Sequence, residues 1–229
     1  MTLLHRLPVH ETFHTWQGEG CHLGRSAFFI RTQGCPVHCP WCDSAGTWHP
    51  DYVPSDIPRV AVDELTSAAR QSGASFVVIT GGEPTIHDLG PLCDALHQAN
   101  LKVHLETCGA YPLRGEFDWI TLSPKWWKLP LEENVRQANE LKIIMEAPDT
   151  LDRWLDVLGS WIQCNAVWLH PEWSQHTNPA VLAAINQAVK TQGDPYRAGY
   201  QLHKLYRVDA ESPGTRPPVP LGGVIPNDV

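Results

Sequence analysis

Short β-branched runs alternate with stretches of helical periodicity along most of this chain, and no other feature limits its fold as strongly. Extended runs are predicted over residues 27–32, 76–80, 102–107, 119–123, 141–145, 166–170 and 199–202. Between them, apolar residues recur at helical spacing: Val62, Leu65 and Ala69; Leu89, Leu92 and Leu96; Leu151, Leu155 and Leu158; Val181, Ile185 and Val189. Strands separated by amphipathic helices pair in parallel, because each crossover lays a helix on the sheet. The pattern therefore predicts an α/β fold, and periodicity alone leaves an open sheet and a partial barrel both available. With 229 residues, 42% of them hydrophobic, the chain is long enough for one substantial core. A single domain is expected over residues 1–207. Residues 208–229 hold five prolines, three glycines and no periodic pattern, and read as a tail, mobile or laid over the body. Residues 48–58, with three prolines, read as an irregular loop.

Charge and composition exclude several classes of function. The formal net charge is −8, so no overall field draws in nucleic acid or anionic lipid. Residues 1–13 contain no apolar stretch of signal-peptide length, and no run of about 18 apolar residues occurs, so a cytoplasmic protein without a membrane span is expected. In that compartment thiols stay reduced, and clustered cysteines point to metal before disulfides. Charged residues are only 18% of the chain while Trp numbers ten, which makes a dimer or partner interface plausible.

Three cysteines follow directly on the first predicted strand: Cys35, Cys39 and Cys42, within Gly34-Cys35-Pro36-Val37-His38-Cys39-Pro40-Trp41-Cys42-Asp43. Gly34, Pro36 and Pro40 favour a loop over a helix, and a loop lets three thiolates converge on one centre. Thiolates suit zinc or an iron–sulfur cluster. Zinc wants a fourth ligand, from a distant Cys or His here, and its structural sites show paired C-x2-C halves. Three thiolates on a four-iron cluster would leave one iron open to a small molecule. Cys21, Cys93, Cys108 and Cys164 lie far apart in sequence and read as buried, inert thiols.

Polar residues gather where the predicted strands end. Thr80-Gly81-Gly82-Glu83-Pro84 closes one strand with two glycines, which allows backbone to approach a ligand closely. Leu105-Glu106-Thr107 and Ser123-Pro124-Lys125 close two others, and ligands of α/β sheets and barrels collect at such carboxyl ends. His170, in Leu169-His170-Pro171-Glu172-Trp173-Ser174, closes a fourth; a site histidine and a structural one are equally compatible with it.

The cysteine spacing, with the aromatic Trp41 before the last Cys, resembles the signature of the radical S-adenosylmethionine (SAM) superfamily. The resemblance implies a modified partial (β/α) barrel, a 4Fe-4S cluster on Cys35, Cys39 and Cys42, and SAM chelated to the open iron. By the same resemblance Trp41, Cys42, Asp43, Gly82, Glu106, Ser123, Pro124 and Lys125 are the expected SAM contacts. Glu83 is either a further contact or structural.

Within the superfamily, the chain is similar to the 7-carboxy-7-deazaguanine synthase family. The similarity spans most of its length and rests on Thr15-Trp16-Gln17-Gly18-Glu19-Gly20, Phe28 through Ser44, Val77 through Pro84, Leu105 through Gly109, Thr121 through Lys125, and Gln201-Leu202-His203-Lys204. It implies conversion of 6-carboxy-5,6,7,8-tetrahydropterin to 7-carboxy-7-deazaguanine, on the route to queuosine and other 7-deazapurines. In that chemistry a 5′-deoxyadenosyl radical removes a substrate hydrogen, the ring contracts, ammonia is lost and SAM is regenerated. It further implies a homodimer, an electron donor such as a flavodoxin or ferredoxin, and a substrate site built from Trp16, Gln17, Gly18, Arg31 and Thr80. Arg31 can grip the substrate carboxylate bidentately, or else serve a structural ion pair. Mg2+ is implied at Ser44, where the family usually has Thr. Serine keeps the hard oxygen ligand that Mg2+ prefers. Two departures stand out: Leu169-His170-Pro171 replaces a common Leu-Gln-Pro, and the tail extends well past Lys204.

Two other readings start from the same cysteines. An enzyme that installs a glycyl radical on a partner protein would share them but not the Trp16 to Gly20 run. A zinc-bearing binding module would be colourless where an iron–sulfur protein is brown.

Overall fold

The computed structural model describes residues 5–208 and 212–216. In chain order its elements are β1 (Arg6–Trp16), β2 (Ser26–Thr32), β3 (Arg59–Ala61), α1 (Val62–Ser72), β4 (Phe76–Gly81), α2 (Gly90–Gln98), β5 (Val103–Thr107) and β6 (Trp119–Leu122). There follow α3 (Glu132–Gln137), β7 (Glu140–Met145), α4 (Thr150–Leu158), β8 (Val167–Pro171), α5 (Pro179–Gln192), β9 (Tyr196–Ala198) and α6 (Leu202–Leu205). One nine-stranded sheet runs β3-β1-β2-β4-β5-β6-β7-β8-β9. The pairings from β2 to β9 are parallel, and β1 joins β2 and β3 antiparallel.

The parallel strands carry two faces of different chemistry. Phe28, Ile30, Val77, Ile79, Val103, Leu105, Ile120, Leu122, Leu141, Ile143, Val167 and Leu169 join one buried cluster with the apolar stripes of α1, α2, α4 and α5. The alternate positions hold Arg31, Thr80, Glu106, Thr121, Ser123 and Lys142, and all of these line a single cavity. Because β2 and β7 both reach that cavity, the sheet is curled into a partial barrel, with helices outside and polar side chains inside. This decides between the two architectures that periodicity left open.

β1 has no counterpart among the predicted strands. Pro8 and the polar run after it hide the alternation, and so does a register irregularity between Val9 and Glu11. Leu7 and Val9 belong to the outer core, whereas Glu11 and Phe13 line the cavity. Residues two apart keep one face in a regular strand, so the irregularity is what turns the rest of β1 inward. The run predicted at 199–202 is displaced: β9 is Tyr196–Ala198 and α6 begins at Leu202. Gly199 makes the last ladder bond, N–H to the Leu169 carbonyl at 2.9 Å, and the chain then turns toward β1, where Leu202 N–H meets the Gly18 carbonyl at 3.2 Å.

Candidate active site

The cysteine loop leaves β2 and is folded back against the end of β4. Gly34 takes a φ of 99°, and a Cβ on Gly82 would lie 2.3 Å from the Gly34 carbonyl oxygen and 2.8 Å from the Cys35 Cβ. Only a residue without a side chain permits that approach. Cys35, Cys39 and Cys42 all line the cavity, whose volume is about 1150 Å³. Burial pushes the Cys39 thiol up to about 12 and the Cys42 thiol up to about 11, and raises Cys35 as well. At neutral pH, thiolates form there only with a bound cation to offset that penalty. No group of three or more His, Cys, Asp or Glu among the described residues is gathered closely enough to hold one metal ion.

Cys108 is distant in sequence but not in space. It is buried beside Cys39 at the same cavity. Burial and then the Glu83 carboxylate drive its thiol far above the usual range, so it stays protonated next to the other three. Glu83 is itself a brace. Its buried carboxylate accepts four hydrogen bonds: Thr85 N–H at 3.1 Å, Thr85 Oγ1 at 2.7 Å, Thr107 Oγ1 at 2.6 Å and Cys108 N–H at 2.7 Å. These ties lock the end of β4 to the end of β5.

Of the residues singled out in the sequence, Trp16, Gln17, Gly18, Arg31, Trp41, Asp43, Ser44, Thr80, Gly82, Glu106, Ser123 and Lys125 line the cavity with the three cysteines. Pro124 is buried but stands outside the lining. Gln17 Nε2 donates to Glu106 Oε1 at 2.9 Å, and Thr80 Oγ1 donates to Glu106 Oε2 at 3.2 Å. Lys125 Nζ donates to the Ser123 carbonyl and hydroxyl, each at 2.6 Å, and lies 5.5 Å from the Trp41 ring centre. Burial lowers its pKa. Arg31 Nε donates to Glu11 Oε1 at 2.7 Å and Nη1 to Ser44 Oγ at 3.4 Å.

Lys142, Glu19 and Lys204, with His203 beside them, line the cavity without having been assigned to the site from sequence. Lys142 and Glu19 form a buried ion pair within the cavity wall. Burial alone would raise the Glu19 carboxyl and lower the Lys142 ammonium, and each partner reverses the other's shift, so both remain charged. His203 lies 4.0 Å from Glu19, and Lys204 Nζ pairs with Asp43 at 3.2 Å. A lysine inside the otherwise apolar run 141–145 was the one sequence signal for Lys142. His170 is fully buried behind this wall, with no hydrogen-bond partner on either ring nitrogen among the described residues, and is not part of the lining.

This arrangement, a partial barrel with a cysteine loop at the carboxyl ends of its strands, corresponds to the matches found with known proteins. Residues 29–161 match the Radical SAM superfamily. A 7-carboxy-7-deazaguanine synthase from Synechocystis sp. is 46% identical over 203 residues, covering 88% of this chain and 93% of its own. The enzyme of that name from Flavobacterium psychrophilum is 37% identical over 205 residues, covering 88% and 92%. The crystal structure of QueE from Escherichia coli superposes with a TM-score of 0.73 at 31% identity, covering 86% of this chain and 95% of that one. The chain is thus a radical SAM enzyme, and within that superfamily it belongs to the family of 7-carboxy-7-deazaguanine synthases.

Proposed function

We propose that this protein converts 6-carboxy-5,6,7,8-tetrahydropterin to 7-carboxy-7-deazaguanine, with loss of ammonia, using a 4Fe-4S cluster, SAM and Mg2+. The carrying observation is the placement of Arg31 in the same cavity as the thiols of Cys35, Cys39 and Cys42. The all-sulfur donor set fits an iron–sulfur cluster, and about 1150 Å³ exceeds what one small ligand occupies, leaving room for a nucleoside and a pterin together. Cys35, Cys39 and Cys42 would hold the cluster, which together with SAM would supply the radical chemistry needed at a substrate C–H bond.

The chain's own residues bind and orient. Arg31 offers paired donors to the substrate carboxylate. Trp16 gives an aromatic wall, and Glu19, kept anionic by Lys142, offers acceptors to the N–H edge of the pterin ring. Gln17, Gly18 and Thr80 complete that side, with Glu106 tying Gln17 to Thr80. A ring lacking the matching donors would leave these buried groups unpaired, which gives specificity. On the SAM side stand Trp41, Cys42, Asp43, Gly82, Glu106, Ser123 and Lys125, with Pro124 behind Ser123. Ser44 Oγ, at the cavity and 3.2 Å from Asp43 Oδ1, is the oxygen we assign to Mg2+.

The same reading makes the protein a cytoplasmic homodimer reduced by a flavodoxin or ferredoxin, with residues 1–207 as one domain. Its support is the family, the free cysteines, and the exposed Leu205 and Tyr206. No helix among the described residues is long and apolar enough to cross a membrane. Anaerobic incubation with SAM, reductant and 6-carboxytetrahydropterin tests the proposal. Formation of 7-carboxy-7-deazaguanine is expected, and 5′-deoxyadenosine without that product would refute the substrate assignment.

A further inference from the structure

Residues 212–216 come back across β1. Arg216 N–H donates to Glu11 Oε2 at 2.5 Å, its Nε donates to the His10 carbonyl at 2.7 Å, and its Nη1 donates to Asp56 Oδ1 at 3.2 Å. Thr215 Oγ1 closes the turn on the Ser212 carbonyl at 2.8 Å. Gly214 has φ 95°, and a Cβ there would stand 2.5 Å from the Thr12 carbonyl oxygen, so the segment lies this close to β1 only because position 214 lacks a side chain.

Glu11 uses its other oxygen on Arg31. The two residues are directly opposite across the β1–β2 pair, and their side chains are 8% and 17% exposed. A guanidinium held at Nε has its plane set, and here that plane carries Nη1 to Ser44 at the cavity. Glu11 therefore faces Arg31 only because of the irregularity after Val9, and its carboxylate is pinned from the far side by residue 216.

We infer that Glu11 is a positioning residue for Arg31, and that residues 212–216 act as a strap holding Glu11, so that the C-terminal segment sets the affinity for a carboxylate-bearing substrate. The inference rests on the proposed role of Arg31. A carboxylate anchored at both oxygens fixes the arginine before substrate arrives, and orientation supplied in advance need not be gained on binding.

Gly214→Val places a side chain against the Thr12 carbonyl, and Arg216→Ala removes two of the three strap bonds. The combined variant of the full-length holoenzyme, with SAM bound, should show substrate Kd raised about tenfold, the order of one charge-assisted contact. Iron content, SAM affinity and kcat at saturating substrate should stay near wild type. Glu11→Gln should raise Kd similarly, and adding the strap substitutions to Glu11→Gln should raise it little further. An unchanged Kd in the strap variant overturns the inference, as does an undiminished tenfold effect in the Glu11→Gln background. A wild-type protein that binds no 6-carboxytetrahydropterin would instead sink the substrate assignment beneath it.

Discussion

Glu106 joins two halves of the site: one carboxylate oxygen accepts from Gln17 at 2.9 Å, the other from Thr80 at 3.2 Å. Gln17 stands just beyond β1 and Glu106 lies on β5, with β2 and β4 between them in the sheet. The contact therefore closes the cavity floor across the curl of the barrel.

From this contact we expect coupled losses. Gln17→Leu keeps volume but removes the donor, leaving Glu106 with one partner fewer. Substrate Kd should rise about tenfold, the equivalent of about 1.4 kcal/mol, and SAM Kd should rise with it. Calorimetric titration with each ligand is the measurement. A change confined to substrate would mean that Glu106 holds its position without Gln17.

The cluster prediction separates four neighbouring thiols. Replacing Cys35, Cys39 or Cys42 by Ala should abolish iron loading and SAM cleavage in anaerobically purified protein. Cys108→Ala should retain both, although Cys108 packs beside Cys39, because burial and Glu83 keep that thiol protonated. Iron analysis and visible absorbance read the outcome, and loss of iron in Cys108→Ala would reassign the ligands.

For Mg2+, a serine offers only one hydroxyl, so the ion must complete its shell with water and substrate. Turnover should rise with Mg2+, and Ser44→Ala should weaken that rise. Superimposable Mg2+ titrations of the two proteins would remove Ser44 from the metal site.

The pH prediction concerns His170. Burial holds its pKa down at about 4, against 6.5 for an exposed imidazole, with Glu19 opposing and Lys142 reinforcing the shift. Between those values the unfolded chain binds the proton that the folded chain refuses. Stability is therefore fully present above pH 6.5 and drains away as pH falls toward 4. From pH 7.5 to 5.5 this one group should cost on the order of 1 kcal/mol. His170→Gln should remove that share of the slope in urea unfolding of the apoprotein, and parallel slopes would show that His170 is not the titrating group.

Much of the site was legible without coordinates because it is local. Cys35, Cys39 and Cys42 share one loop, and Thr80-Gly81-Gly82-Glu83-Pro84 is one strand end, so spacing alone announces them. The helix stripes were equally plain, since Leu65 and Ala69, Leu92 and Leu96, and Leu151 and Leu158 each recur at the spacing of the helix they build. Tertiary structure decided what each polar neighbour does. Glu83 became a brace because Thr107 and Cys108, on the next strand, supply its donors. Cys108 came to rest beside Cys39, and Lys142 came to face Glu19 across the barrel. A single irregularity after Val9 turned Glu11 toward Arg31 and within reach of Arg216. Periodicity reports that a strand has two faces, but only closure of the sheet settles which face encloses a cavity. A buried charge is tolerable only where a partner arrives, and for Glu19 that partner, Lys142, stands 123 residues further along the chain, which no local pattern encodes.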